Sequence, residues 1–227
     1  MEYIIDSANL PAIKACMEYF PISGVTTNPT IITREKTDLK ELLLAIRQCI
    51  GEQRMLHVQV TNDLAEDMVR EAVALNDLLS PNLYVKIPVT KEGIRAISLV
   101  KEKGIKVTAT AIFNQTQALM AAVAGADYVA PYINKIDSIA GCSANVVAEM
   151  VTLFEAHGLN TKILAASFRN AEQIHQVALA GGHAATMRPE MFMELISHPF
   201  TDIAVANFAR DWEAQYGKDI CDLIEER

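Results

Sequence analysis

Cysteine is scarce in this chain of 227 residues: Cys16, Cys49, Cys142 and Cys221 stand far apart and none forms a C-x-x-C pair. That leaves no disulfide framework and points to a reducing, intracellular setting. Basic charge is in deficit as well. Twenty Lys and Arg face 28 Asp and Glu, giving a formal net charge of −8. Without a basic excess to displace counterions, nucleic acid is not expected as a partner, although a local Lys or Arg can still hold an anionic substrate. No apolar run approaches the roughly 18 residues that suggest a membrane span, and the chain opens directly on a strand-like Tyr3–Asp6 with no basic or apolar leader. No membrane contact is expected, and a cytoplasmic location is. The five histidines show no H-x-x-x-H or comparable spacing, so no metal site is expected. Neither G-x-S-x-G nor G-x-x-x-x-G-K-[ST] occurs, which removes two common hydrolase and nucleotide signatures.

What is present is a regular alternation. Strand-like runs at Tyr3–Asp6, Ser23–Thr26, Leu56–Val60, Leu83–Ile87, Lys106–Ile112, Tyr128–Tyr132, Lys162–Ser167 and Ala184–Met187 are separated by amphipathic stretches. The first four helices are predicted over Pro11–Phe20, Leu39–Ile50, Leu64–Leu79 and Lys91–Lys103. Asn114–Ala124, Asn145–His157, Ala171–Ala180 and Glu190–Ile196 supply the remaining four. Eight strands each followed by a helix is the count of a (β/α)8 TIM barrel, and no G-x-G-x-x-G follows the first strand to favour an open sheet. Residues 1–199 are read as this barrel. Residues 200–227 are read as a C-terminal helical extension that folds over its own barrel end or packs on a neighbouring subunit.

Within Leu83-Tyr-Val-Lys-Ile-Pro-Val89 one residue is out of place. Lys86 lies in an apolar run whose walls would strip its ammonium of water. Desolvation favours the neutral amine, and a neutral amine can attack a carbonyl to form a Schiff base. A lysine that snorkels to water or pairs with a carboxylate would fit the same stretch. In a TIM barrel, polar residues at C-terminal strand ends gather on one rim. Here they are Asp6, Thr27 and Asn28, Gln59, Lys86, Thr110, Tyr132 with Lys135, Ser167 with Arg169, and Thr186 or Arg188. Each has a plainer role. Asp6 and Ser167 could cap helices, Asn28 before Pro29 could make a turn, Thr110 and Tyr132 could only pack, and Lys135 and Arg169 could be solvated charges. Gln59 is harder to dismiss, since a buried amide without partners costs about 1–3 kcal/mol.

Asp6, Gly24-Val-Thr-Thr-Asn-Pro29, Val85-Lys-Ile-Pro-Val-Thr90, Ala130-Pro-Tyr132 and Ala165-Ala-Ser167 together resemble the small transaldolase family, with the closest match in its fructose-6-phosphate aldolase branch. The resemblance implies a (β/α)8 barrel without metal or organic cofactor, assembled as a homodecamer of two stacked pentamers in which the C-terminal helix reaches a neighbour. It implies a Schiff-base aldolase that reversibly cleaves the sugar phosphate fructose 6-phosphate to dihydroxyacetone and glyceraldehyde 3-phosphate. By that resemblance Lys86 is the Schiff-base lysine, Asp6 assists proton transfer, and Asn28 orients hydroxyls of the three-carbon unit. Gln59, Thr110 and Tyr132 would hold one catalytic water. True transaldolases carry glutamate and phenylalanine where this chain has Gln59 and Tyr132. At the phosphate site Ser167 is intact, but Lys135 stands where the family usually has arginine. A transaldolase, or a non-catalytic barrel that binds sugar phosphates, are the alternative readings.

Overall fold

The computed structural model describes residues 1–139 and 141–225. Eight parallel strands close into one barrel in chain order. They are β1 (Glu2–Asp6), β2 (Ile22–Thr26), β3 (Met55–Gln59), β4 (Leu83–Pro88), β5 (Lys106–Ile112), β6 (Tyr128–Pro131), β7 (Lys162–Ala165) and β8 (Ala184–Met187). Closure is made by β1, which pairs with β2 on one side and β8 on the other. The predicted (β/α)8 barrel is therefore the fold of this chain.

The helices cover the outside. They are α1 (Leu10–Tyr19), α2 (Pro29–Arg34), α3 (Leu39–Ile50), α4 (Ala65–Leu79), α5 (Lys91–Glu102) and α6 (Gln115–Val123). Then come α7 (Ile133–Ser138), α8 (Ser143–Ala156), α9 (Ala171–Leu179) and α10 (Pro189–Ile196). Their starts follow from side-chain caps that accept orphan N–H groups. Asn9, Asp38, Thr90, Asn114 and Asn170 accept from Ala12, Glu41, Gly93, Gln117 and Gln173. Ser7 is not the cap of α1; its hydroxyl accepts from the N–H of Asn9. Nor do Asp6 and Ser167 cap helices. Gly93 is required by space: a Cβ there would lie 1.8 Å from the carbonyl oxygen of Pro88, so only glycine lets α5 close on the end of β4.

Two short helices, α2 and α7, were not expected. Asn28 makes more than a turn: its side-chain oxygen accepts from the N–H of Ile31, and Pro29 follows in the first turn of α2, where its missing N–H costs nothing. Strands β6 and β7 end earlier than their apolar patterns suggest. Tyr132 leaves the sheet as the residue before α7 and keeps only an isolated bridge to Ala166. Ser167 turns to φ +62, a left-handed backbone that cannot continue a strand.

Both faces of the barrel wall are buried, as a parallel sheet with helices outside requires. Ile5, Val25, Leu56, Val85, Val107 and Val129 point to the helix layer and are wholly buried. The N-terminal half of the interior is plugged by Ile4, Met55, Tyr128, Leu164 and Ala184, with Tyr84 packed against them. Above this plug, towards the C-terminal end, the buried side chains turn polar, with Thr26, His57, Lys86, Thr108, Thr110 and Thr186.

The chain divides into two compact units, Met1–Phe192 and Met193–Arg227. Within the second, α11 (Pro199–Gln215) is followed by α12 (Ile220–Glu225). Trp212 of α11 ties down the connection to α12, donating from Nε1 to the carbonyl of Lys218, 2.9 Å away, with its ring 4.6 Å from that of Tyr216. Phe200, Ile203, Val205 and Phe208 are exposed. Among the described residues no helix is long and apolar enough to cross a membrane.

Candidate active site

Lys86 is the fourth residue of β4, and its side chain shares the barrel interior with Tyr84 below it. Only 6% of the residue is exposed. Its Nζ donates a 2.7 Å hydrogen bond to the carbonyl oxygen of Thr27. No carboxylate among the described residues pairs with it directly. Burial pushes the amine below the ordinary lysine range, and the charge of Asp6 works against that shift without cancelling it. Of the plainer roles open to a lysine in this strand, the structure supports neither a snorkelling side chain nor a salt bridge.

Asp6 ends β1. One oxygen of its carboxylate accepts from the hydroxyl of Thr26, 2.7 Å away. The Thr26 oxygen lies 2.6 Å from that of Thr186 on β8. Because Thr26 spends its proton on Asp6, Thr186 is the donor to Thr26. A chain of two hydroxyls thus orients the carboxylate from beneath. Both fall on the inward parity of their strands, and Thr186 is one of the two rim residues that the sequence offers on β8.

Under the lysine sits His57, the middle residue of β3 and wholly buried. Its Nδ1 lies 2.9 Å from the hydroxyl of Thr108, and its ring stacks on Tyr84 at 4.7 Å. Nε2 has no hydrogen-bond partner among the described residues. Burial, reinforced by the positive charge of Lys86, holds the imidazole well below its usual range, so the ring is neutral at pH 7. The available signal was its spacing: His57 precedes Gln59 by two residues and therefore faces the same way.

A cleft of about 320 Å3 opens above Lys86, and Asp6, Asn28, Tyr132, Ser167 and Arg188 line it with the lysine. With its oxygen occupied as the cap of α2, Asn28 keeps its amide hydrogens for another partner. The hydroxyl of Tyr132 lies 3.3 Å from that of Thr110, and its ring meets Phe113 edge-on at 5.6 Å. A register shift in β5 between Ala109 and Ile112 brings Thr110 to this position, with Ala111 at φ +58. Such a bulge re-aims the side chains beside it.

The remaining predicted residues are not among those that line the cleft. Gln59 is half-buried opposite Lys86 in the β3–β4 ladder, and lines a larger groove of about 700 Å3 beside α2, α3 and α4. Thr27 is wholly buried with its hydroxyl committed to the carbonyl of His57, 3.0 Å away. Lys135 on α7 and Arg169 before α9 are exposed and do not line the cleft. Arg188 does line it, and so does Thr186, the other rim residue that the sequence offers on β8.

A closed eight-stranded barrel with a neutral-leaning lysine, a carboxylate and a tyrosine gathered at the C-terminal ends of its strands has the architecture of a barrel enzyme. The sequence model of the family described as transaldolase/fructose-6-phosphate aldolase matches residues 3–221. The chain belongs to that family, which makes it an aldolase-type enzyme. Solved structures share the fold at low identity. One described as native KDPGal is 14% identical, with a TM-score of 0.60 over 82% of this chain and 80% of that one. A mandelate racemase/muconate lactonizing enzyme-like protein from Rubrobacter xylanophilus is 13% identical, with a TM-score of 0.61 over 85% of this chain and 58% of that one. The 3,6-anhydro-D-galactonate cycloisomerase from Zobellia galactanivorans is 12% identical, with a TM-score of 0.56 over 82% of this chain and 52% of that one. This chain therefore spans little more than half the length of the latter two.

Proposed function

We propose that this protein is a Schiff-base aldolase that reversibly cleaves fructose 6-phosphate to dihydroxyacetone and glyceraldehyde 3-phosphate. The observation that carries the reading is Lys86: a buried amine, depressed by desolvation, on the floor of a polar cleft.

The neutral amine adds to the ketone carbon of the sugar, and the carbinolamine loses water to give an iminium. A base takes the proton of the hydroxyl on the fourth carbon. The bond between the third and fourth carbons breaks, its electron pair enters the iminium, and the aldehyde leaves. The enamine of dihydroxyacetone is then protonated on carbon and hydrolysed, returning Lys86. In this reading the protons move through a water held by Gln59, Thr110 and Tyr132, with Asp6 close to the reacting carbons. Asn28 meets the hydroxyls of the three-carbon unit. Thr27 fixes the lysine through its carbonyl. The resemblance puts the phosphate end at Ser167, Lys135 and Arg169, of which only Ser167 lines the cleft.

Transaldolase activity is the second reading, and it differs only in the fate of the enamine. The Tyr132–Thr110 pair favours release, because two hydroxyls 3.3 Å apart can place a water beside the enamine. The exposed apolar residues of α11 support packing of this helix on a neighbouring subunit, as in a homodecamer of stacked pentamers.

Borohydride reduction in the presence of dihydroxyacetone, followed by peptide mass mapping, tests the reading. A reduced three-carbon adduct on Lys86 is expected. A folded protein that binds a sugar phosphate but yields no adduct would instead be a binding barrel.

A further inference from the structure

Arg188 follows β8 and lines the cleft, yet nothing among the described residues engages its guanidinium. Among the described residues it takes part in no ion pair and no side-chain hydrogen bond, and only its carbonyl is used, accepting from the N–H of Met191. Arg188 is exposed, as Lys135 and Arg169 are, but of the three it alone lines the cleft, and in a chain of net charge −8 its guanidinium is the cation that the cleft mouth offers to an anionic ligand.

Its place in the barrel says which end of the ligand it meets. In the closed order of strands, β4 and β8 lie four apart in either direction, so Lys86 and Arg188 stand on opposite walls. A sugar held through its second carbon at Lys86 must send its far end across the cleft. Lys135 follows β6 and Arg169 follows β7, both nearer to the wall of the lysine, and neither lines the cleft. Ser167, on the neighbouring strand end, offers a hydroxyl with no protein partner among the described residues. The first residue of α10 is Pro189, which has no N–H, so this position of the helix cannot supply a backbone donor to an anion. The guanidinium is the group left to do so, and its planar fork suits a terminal dianion.

We propose that Arg188 is the specificity-determining anion-binding residue of the cleft, and that the anion is the phosphate monoester of the aldehyde partner. The inference rests on the aldolase reading above for the identity of that partner. The site itself does not depend on turnover.

Two measurements separate the two claims. In the first, inorganic phosphate is titrated into the wild-type protein and R188A by calorimetry. The dissociation constant should rise by about 10-fold or more in R188A, as expected for loss of a charge-assisted bidentate contact. An unchanged constant overturns the proposal whether or not the protein is an aldolase. In the second, kcat/KM for addition of dihydroxyacetone to glyceraldehyde 3-phosphate is divided by that for unphosphorylated glyceraldehyde. This ratio should fall by about 10- to 100-fold in R188A, mainly through KM, with R188K in between because it keeps charge but loses the fork. A fall in K135A or R169A with none in R188A would overturn the assignment and move the phosphate to the other side of the rim. Absence of both condensations and of a Lys86 adduct in the wild-type protein would sink the aldolase reading, while the phosphate titration would still decide on Arg188.

Discussion

The amine of Lys86 is tied to the carbonyl oxygen of Thr27, and the N–H and hydroxyl of Thr27 are in turn both tied to the carbonyl oxygen of His57. The backbone between β2 and α2 thus fixes the lysine without a counter-ion. A neutral amine can also donate this hydrogen bond, though more weakly than an ammonium, so the tether positions the nucleophile in either charge state.

Lys86→Met should retain the far-UV circular dichroism of the barrel and lower aldolase activity by at least about a thousandfold, the scale seen when a covalent nucleophile is removed. The stability comparison has a defined sign. The folded pKa of Lys86 lies below its unfolded value near ~10.4, so between the two the unfolded chain binds a proton that the folded chain does not. The wild-type protein should therefore gain stability relative to Lys86→Met as pH rises towards that value. Urea melts at pH 7 and pH 9.5 measure the gap; a gap that moves the other way would mean the amine is charged when folded.

Tyr132→Phe removes one of the two hydroxyls of the Thr110 pair. Cleavage of fructose 6-phosphate should drop by about 100-fold, within the range for general acid–base groups. With erythrose 4-phosphate supplied, formation of sedoheptulose 7-phosphate should rise relative to release of dihydroxyacetone. A proportionate loss of both reactions would show that the hydroxyl does not control the fate of the enamine.

His57→Phe should reduce the acid sensitivity of folding. Burial holds the folded imidazole far below its unfolded value near ~6.5, so stability is lost as pH falls below that value. His183 is lowered too, by partial burial and by Lys162, and its contribution has the same sign, so the variant removes only part of the slope. Thermal melts between pH 4.5 and 7 should be flatter in the variant. Near pH 7 the loss of the Thr108 contact and of the unpartnered Nε2 should nearly offset each other.

Glu71 on α4 pins the segment after β3, accepting from the N–H and hydroxyl of Thr61 and from the N–H and amide of Asn62. Partial burial pushes its carboxyl up, but these hydrogen bonds together hold it below the usual range. Glu71→Ala should cost about 1 kcal/mol, the net worth of an exposed charged cluster. The difference should be complete above pH ~4.3 and vanish as pH falls through the lower folded value. Chemical denaturation at pH 7 and pH 3 checks both points.

Much of this fold is legible in the sequence. Asp38, Thr90 and Asn114 mark helix starts because their oxygens accept from N–H groups three residues on, which is local chemistry. The short helices α2 and α7 were hidden because six residues are too few to show a 3.6-residue period. Tyr128–Tyr132 and Lys162–Ser167 read as longer strands because apolar residues continue past the points where Tyr132 and Ser167 turn away. Arg188 was visible as a rim residue, but no property of its neighbours in sequence separates it from Lys135 or Arg169.

The sequence by itself determined the alternation of strands and helices, the single lysine inside an apolar strand, and the family to which these motifs belong. All of these depend on residues close together in the chain. Only the tertiary structure decided which rim residues share the cleft with Lys86, that Thr26 and Thr186 support Asp6, and that His57 lies beneath the lysine. Those relations depend on strand register around a closed barrel, on the bulge at Ala111 and on the left-handed turn at Ser167, which aim side chains from strands far apart in sequence into one space.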